Sequence, residues 1–470
     1  MIKYHHHKKE GEIVMVKLED FFDFKKKEPI NRLAYTKEDM QYKLKVIEKM
    51  QELGMTITVD KVGNICGSIQ IGNNPEKTLV IGSHTDSVYD GGQYDGPAGV
   101  ISGLQTVEEL LKSKKINGIV KVAIYACEES SRFGNACIGS KYLNGNITEE
   151  DFDNIKDQKK LEEGEVITLR EAIEYEKQYL KQNVKEIKEV EKIFDKGEID
   201  YSLESHIEQY EILNKRYKNN KKEEIGIVNS VGSAVRIKYD VRGKAGHTGS
   251  TPMRKRKNAV DATALIGKKV RKLGKQYEEQ GMGRASQVEI NTIGHKGSFN
   301  QLSAKAQGLI DFRILGENTP EKVLKDFGEI VEKVEKKTKI RPTIVSKGNP
   351  VITSKELNST IIDVCNQKQI KYLEMPSYAG QDTGYVPAKQ KTMIFIPSKG
   401  GSHNPKERTK RKFIETATKV LTGTAQELLK ERFKDSYKCE VEGTETTGNK
   451  QATDENIYTN QSQQEEKGLS

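Results

Sequence analysis

The sequence predicts an α/β protein: a mixed, partly parallel sheet flanked by helices, with a smaller α+β sandwich inserted into it. Three observations lead there. The chain has 470 residues, too many for one hydrophobic core, so two domains are expected. A short apolar strand at 79–81, a helix from Pro97 and a second apolar strand at 119–127 make a βαβ unit, whose strands run parallel. From about Ile225 the order becomes strand, helix, strand, strand, helix, strand, as in a two-layer sandwich. The expected division is a polar segment at 1–30, a discontinuous larger domain at 31–225 and 344–433, an insert at 226–343 and a polar tail at 434–470.

Taken in order, residues 1–30 are polar and charged apart from Phe21, Phe22 and Phe24, and His5, His6 and His7 read as solvated. Helical spacing runs from Thr36 as N-cap to Gly54 as stop signal. Strands at 56–59 and 63–71 are expected to pair. The helix from Pro97 carries Val100, Ile101, Leu104, Val107, Leu110 and Leu111 on one stripe. Residues 150–200, highly charged, read as a helical insertion at the periphery with little bearing on chemistry. Residues 213–224, rich in Lys and Asn, read as an exposed turn. In the insert, strands are expected at 234–241, 287–293, 307–315 and 339–346, and helices at 259–279 and 319–337. A buried strand at 394–397 and a helix at 409–433 follow. The tail from 434 has almost nothing apolar to bury and is expected to be disordered.

Composition narrows the function classes. No apolar run approaches the ~20 residues of a membrane helix, and the first residues lack the apolar stretch of a secretory signal. A soluble, cytoplasmic protein without a membrane partner is expected. The net charge of +9 is spread through mixed Lys/Glu helices, and aromatic residues are not interleaved with the basic ones. Nucleic acid is therefore not an expected partner; a small molecule is. Cys66, Cys127, Cys137, Cys365 and Cys439 have no metal-knuckle spacing and read as free thiols.

The chemistry concentrates where strands end. After the first apolar strand, His84 and Asp86 are two residues apart and point to one face in extended backbone. Asp95 lies in a loop with Gly91, Gly92, Gly96 and Gly99, whose freedom lets the loop return a carboxylate to the strand end. A neutral imidazole and a carboxylate there are donors suited to a divalent metal. Asp86 is expected to fix the tautomer of His84. The second apolar strand runs into Glu128 and Glu129. Adjacent acids point in different directions, so one can hold a metal while the other faces water as a base. His206 sits among acids after another strand, and a glycine turn delivers His403. Each segment alone is also compatible with solvated surface residues; together they fit a two-metal hydrolytic site.

In combination these segments resemble a known family. They are Gly-Ser-His-Thr-Asp-Ser-Val, Gly-Gly-Gln-Tyr-Asp-Gly, Glu-Glu-Ser-Ser-Arg-Phe, His-Ile-Glu-Gln, Gly-His-Thr-Gly-Ser-Thr-Pro-Met and Ser-His-Asn-Pro-Lys-Glu. The family is that of the hydantoinase/carbamoylase-type metal-dependent amidohydrolases, within the aminoacylase and carboxypeptidase metallopeptidase superfamily. The likeness runs from about Arg32 to about Leu429. It implies a zinc-peptidase-like catalytic domain, a lid and dimerisation role for the insert, and a homodimer. It implies two divalent ions, zinc or manganese ahead of cobalt or nickel. His84, Asp95 and His206 would hold one, and Asp95, Glu129 and His403 the other. Glu128 matches the general base, and His247 matches a lid histidine that stabilises the oxyanion in a partner subunit's site. Gln209, His247, Asn300 and Arg313 match substrate contacts, although Asp311 offers Arg313 a plain ion pair.

The implied reaction is hydrolysis of a linear amide or ureido C–N bond, of N-carbamoyl-L-amino acids first. Allantoate and the substrates of an aminoacylase or dipeptidase are the alternatives. A non-catalytic binding relative is disfavoured by the intact Glu128. The chain departs from the family pattern at Ser130, Tyr210, Gly246 and Gln381. None of these removes an implied ligand, but Tyr210 and Gln381 bear on the pocket.

Overall fold

β-branched, apolar runs supply the strands, and their order decides which loops meet. The computed structural model describes residues 15–430, apart from 27, 114 and 295–297. The expected tail, Cys439 and His5 to His7 lie outside the described residues. The chain first forms β1 (Thr56–Val59), β2 (Ile65–Ile71), β3 (Thr78–His84), β4 (Gly118–Tyr125), β5 (Ile187–Glu189), β6 (Ile199–Ile207) and β7 (Glu224–Val231). It continues with β8 (Ser233–Arg242), β9 (Gly246–His247), β10 (Gly283–Thr292), β11 (Gln301–Leu302), β12 (Lys305–Ile314) and β13 (Lys339–Lys347). It returns with β14 (Val351–Ile352), β15 (Lys371–Ser377) and β16 (Ala388–Ile396).

The larger sheet has the order β14-β7-β16-β6-β3-β4-β2-β1-β5, with β15 on β7. At its centre β16, β6, β3 and β4 are parallel neighbours, so their C-terminal ends lie along one edge. Every residue of β3 is buried, as for a strand covered on both faces. The crossover helix Pro97–Leu111 buries Val100, Ile101, Leu104, Val107 and Leu110 in this core, while Leu111 is exposed. The fold class is thus the one expected. The aromatic patch near the N-terminus is not surface decoration. The rings of Phe22 and Phe24 pack on Tyr94, at 5.2 and 5.9 Å between centroids, and so brace the loop that bears Asp95.

The charged stretch at 150–200 differs from its expectation. Its helix Leu169–Asn183 buries Leu169, Ala172, Ile173, Glu176 and Leu180, and β5 extends the sheet beside β1. Glu176 hides this stripe from a reading of apolar periodicity, because a charged residue occupies a core position. It is satisfied there by Lys43 of the helix Lys37–Glu52, 2.9 Å away, and Lys43 also lies 2.9 Å from Asp39. Residues 212–220 are likewise helical rather than a turn. The Glu208 carboxylate accepts the N–H groups of Leu213 (2.6 Å) and Asn214 (2.7 Å), satisfying free donors of the first turn from outside the helix.

The smaller sheet is antiparallel, in the order β10-β12-β8-β13. Alternation along β8 sends Val235, Ile237, Tyr239 and Val241 into a separate core with helices Ala259–Glu279 and Pro320–Val334. Ala234 and Arg236 take the other face. The boundaries expected at 226 and 343 both move. β7 pairs with β14, β15 and β16 in the larger sheet, and β13 stays paired with β8 as far as Lys347. The insert therefore spans 233–347. No helix among the described residues is long and apolar enough to cross a membrane. Cys66, Cys127, Cys137 and Cys365 are buried free thiols.

Candidate active site

Loops at the C-terminal edge of a parallel sheet face one crevice, and the candidate donors follow from that. His84 ends β3, Glu128 and Glu129 come just after β4, His206 is near the end of β6, and His403 follows β16. Asp95 is brought in by its loop. Its own N–H and that of Tyr94 donate to Oε1 of Glu407, at 3.1 and 3.0 Å. Gly96 has φ +83°, and a Cβ there would come within 2.5 Å of the His84 ring. Only glycine lets the loop pass so close to the imidazole.

The side chains converge. Asp95 Oδ1 lies 2.8 Å from His206 Nε2 and 3.9 Å from His84 Nε2, and Asp95 Oδ2 lies 3.6 Å from His403 Nε2. Glu129 Oε1 is 3.0 Å from His403 Nε2, and Glu128 Oε2 is 3.8 Å from His84 Nε2. Three sets have donor atoms within 4.8 Å of one another: His84, Asp95 and His206; His84, Glu128 and Glu129; Asp95, Glu129 and His403.

This donor set fits divalent ions. His84 Nε2 and Asp95 Oδ2 are buried without a hydrogen-bond partner. The other ring nitrogens of His84 and His206 meet backbone carbonyls, Asp86 O at 3.0 Å and Ile207 O at 2.8 Å. That leaves each Nε2 lone pair aimed inward. Among the described residues, only imidazoles lie within ion-pair distance of the Asp95, Glu128 and Glu129 carboxylates. Three buried carboxylates are costly without stronger positive charge. Burial works to raise the Asp95 carboxyl, but His206, His403 and His84 hold it well below the usual range. Burial pushes the Glu128 carboxyl well up against the pull of His84. Glu128 also accepts a hydrogen bond from the Cys137 thiol, 3.4 Å from Oε1.

Asp86 has a different role from the one expected. Its backbone carbonyl, not its carboxylate, orients His84. The carboxylate accepts the N–H groups of Glu128 (3.2 Å) and Glu129 (3.0 Å) instead. Cys127, at φ +53°, turns the chain after β4 so that both amides face Asp86. Glu407 was not singled out as a positioning residue. Its signal was its place in the segment that carries His403.

A cavity of about 450 Å³ lies over these groups. Gln209 and Arg313 line it, as does Gln381, which is buried with Oε1 unpartnered. Arg313 donates from Nε to Asp311 Oδ2 at 2.7 Å, the pair left open by the sequence. Arg236, not anticipated, lines the same wall. Its signal was the alternation of β8. His247 and Asn300 do not reach this chain's cavity. His247 is exposed in β9, with Nδ1 accepting from the N–H groups of Gly249 and Ser250, and Asn300 accepts from Ser298 Oγ. Tyr210 is 66% exposed and lies outside the cavity.

The sequence profile of peptidase family M20/M25/M40 matches residues 80–427. An N-carbamoyl-L-amino-acid amidohydrolase of Pseudomonas sp. (strain NS671) is 29% identical over 414 residues, covering 83% of this chain and 91% of the relative. An allantoate amidohydrolase of Bacillus subtilis is 27% identical over 408 residues, covering 84% and 91%. The fold is shared with an amidase of the hydantoinase/carbamoylase family from Burkholderia multivorans, at a TM-score of 0.71 and 24% identity over 86% of this chain and 94% of that one.

Proposed function

This chain belongs to peptidase family M20/M25/M40, and we propose that it is a metal-dependent amidohydrolase acting on the linear ureido bond of N-carbamoyl-L-amino acids. The observation that carries the reading is a buried carboxylate, Glu128, beside two further donor sets that do not need it. Relatives named as carbamoylases and allantoate amidohydrolases support the bond class. His84, Asp95 and His206 would hold one divalent ion, and Asp95, Glu129 and His403 the other. Ions bound there supply Lewis-acid polarisation of a carbonyl oxygen.

The chain's own residues account for the proton. Glu128, with a carboxyl raised by burial, has the basicity to take a proton from the attacking water. The water oxygen bonds to the ureido carbon, and the C–N bond to the amino acid breaks. Glu128 returns the proton to the leaving nitrogen, and the released carbamate decomposes to carbon dioxide and ammonia. Arg313 commits only Nε to Asp311, so its terminal nitrogens are free to grip the substrate carboxylate in a way that a lysine ammonium cannot reproduce. Gln209 offers an amide beside it.

The test is a turnover screen of N-carbamoyl-L-amino acids, allantoate and dipeptides with added divalent metals. Ammonia and carbon dioxide should be released from the carbamoyl compounds and not after chelation. Hydrolysis of dipeptides without any ureido turnover would sink the proposal. Faster release from allantoate would move the substrate and keep the reaction class.

The homodimer belongs to the same reading. His247 and Asn300 stand apart from this chain's cavity on the insert, where they are free to serve a second copy, with His247 stabilising the oxyanion there. A protein that is monomeric by light scattering and still fully active would rule this out.

A further inference from the structure

The cavity wall is unsuited to an apolar substrate side chain. Ile147 is the one branched aliphatic residue lining it and Tyr385 the one aromatic, whereas Lys141, Arg236, Arg313 and Lys347 are all there. These cations are not equally occupied. Lys347 is paired with Glu321. Arg236 and Arg313 share a single carboxylate. Asp311 lies directly across from Arg236 in the β8–β12 register, with Oδ1 3.3 Å from Arg236 Nε and Oδ2 2.7 Å from Arg313 Nε. One negative charge against two guanidiniums leaves one positive charge over. Only the two Nε atoms are engaged, so terminal nitrogens of both side chains remain uncommitted among the described residues. Lys141 makes no ion pair among the described residues, and its ammonium lies 5.1 Å over the ring of Tyr385. None of the four cations is within ion-pair distance of Asp95, Glu128 or Glu129.

Two positive charges are therefore left without partners in a polar cavity, and a monocarboxylate answers only one of them. We infer that the substrate is a ureido dicarboxylate, an N-carbamoyl-L-amino acid whose side chain carries a second acidic group. One carboxylate meets Arg313, and the second meets the remaining charge on Arg236 and Lys141. This inference rests on the carbamoyl-amino-acid reading and specifies its substrate class.

The experiment compares kcat/KM of the metal-loaded protein for N-carbamoyl-L-aspartate, N-carbamoyl-L-glutamate, N-carbamoyl-L-alanine and N-carbamoyl-L-leucine. An acidic compound should be preferred over both apolar ones by about tenfold or more, the worth of one charged hydrogen bond. Arg236→Gln or Lys141→Gln should bring that ratio towards one, mainly through KM. A ratio near one in the parent protein, a preference for leucine, or a ratio unmoved by both substitutions would overturn the inference. The melting-temperature shift of the Glu128→Gln protein with each compound reads binding without turnover. Equal shifts for aspartate and alanine derivatives would overturn it too. A shift selective for the diacid, with no ureido compound hydrolysed by the parent, would instead sink the reaction reading.

Discussion

Glu128→Gln should leave fold and metal content intact and cut turnover by roughly 10²–10⁴-fold, the usual contribution of a general acid–base group. The amide is nearly isosteric with the carboxylate, but it cannot accept a proton from water. Nor should the fold suffer. Glu128 is 7% exposed, and replacing a buried carboxylate with a neutral amide removes a charge that burial disfavours. The geometry makes the metal measurement decisive, because Glu128 also lies within reach of His84 and Glu129 in one of the three donor sets. Elemental analysis of the purified variant, with kcat measured alongside, separates the roles. Loss of about one equivalent of metal would make Glu128 a donor. Activity within a few-fold of the parent would remove it from the chemistry.

Asp95→Ala should be the most damaging substitution for metal binding, with turnover falling to background. Asp95 is the one residue common to the set with His84 and His206 and the set with Glu129 and His403. Its loss strips both, whereas His403→Ala strips one. The backbone should tolerate the change, because Glu407 holds the loop through the N–H groups of Tyr94 and Asp95 and not through the Asp95 side chain. Circular dichroism matching the parent, with metal content well below that of His403→Ala, is the expected result. Full occupancy in Asp95→Ala would exclude a carboxylate shared between two ions.

The convergence of His84, Asp95, Glu128, Glu129, His206 and His403 was legible because each follows a signal that sequence carries well: a short apolar run, then glycines or paired acids. The insert was legible in its element order, since Val235, Ile237, Tyr239 and Val241 alternate cleanly. Its edges were not. Ile225, Ile227 and Val228 are as apolar as any strand of the insert, and only pairing reveals that β7 belongs to the other sheet. Buried charge defeated the reading elsewhere. Glu176 occupies a core position, and Glu208 caps a helix whose own residues, Lys215 to Asn220, look like a loop. In both places a partner distant in sequence, or outside the element, decides the structure. The same holds for Asp86, whose carboxylate serves amides more than forty residues ahead.

The parallel order of β16, β6, β3 and β4 also bears on how the protein is made. The donors come from residues 84, 95, 129, 206 and 403, and the set that includes His403 spans most of the chain. A growing or unfolded chain has no local stretch that could assemble it. Closing so large a loop has an entropic cost that only the docking of β16 on β6 and of β6 on β3 offsets. Metal capture at the pair of sites is thus a late event in biogenesis, coming after the central strands have found their register, and ions bound there favour the folded state by mass action. Truncations that remove β16 would leave a polypeptide able to form β3 and β4 but lacking the second donor set.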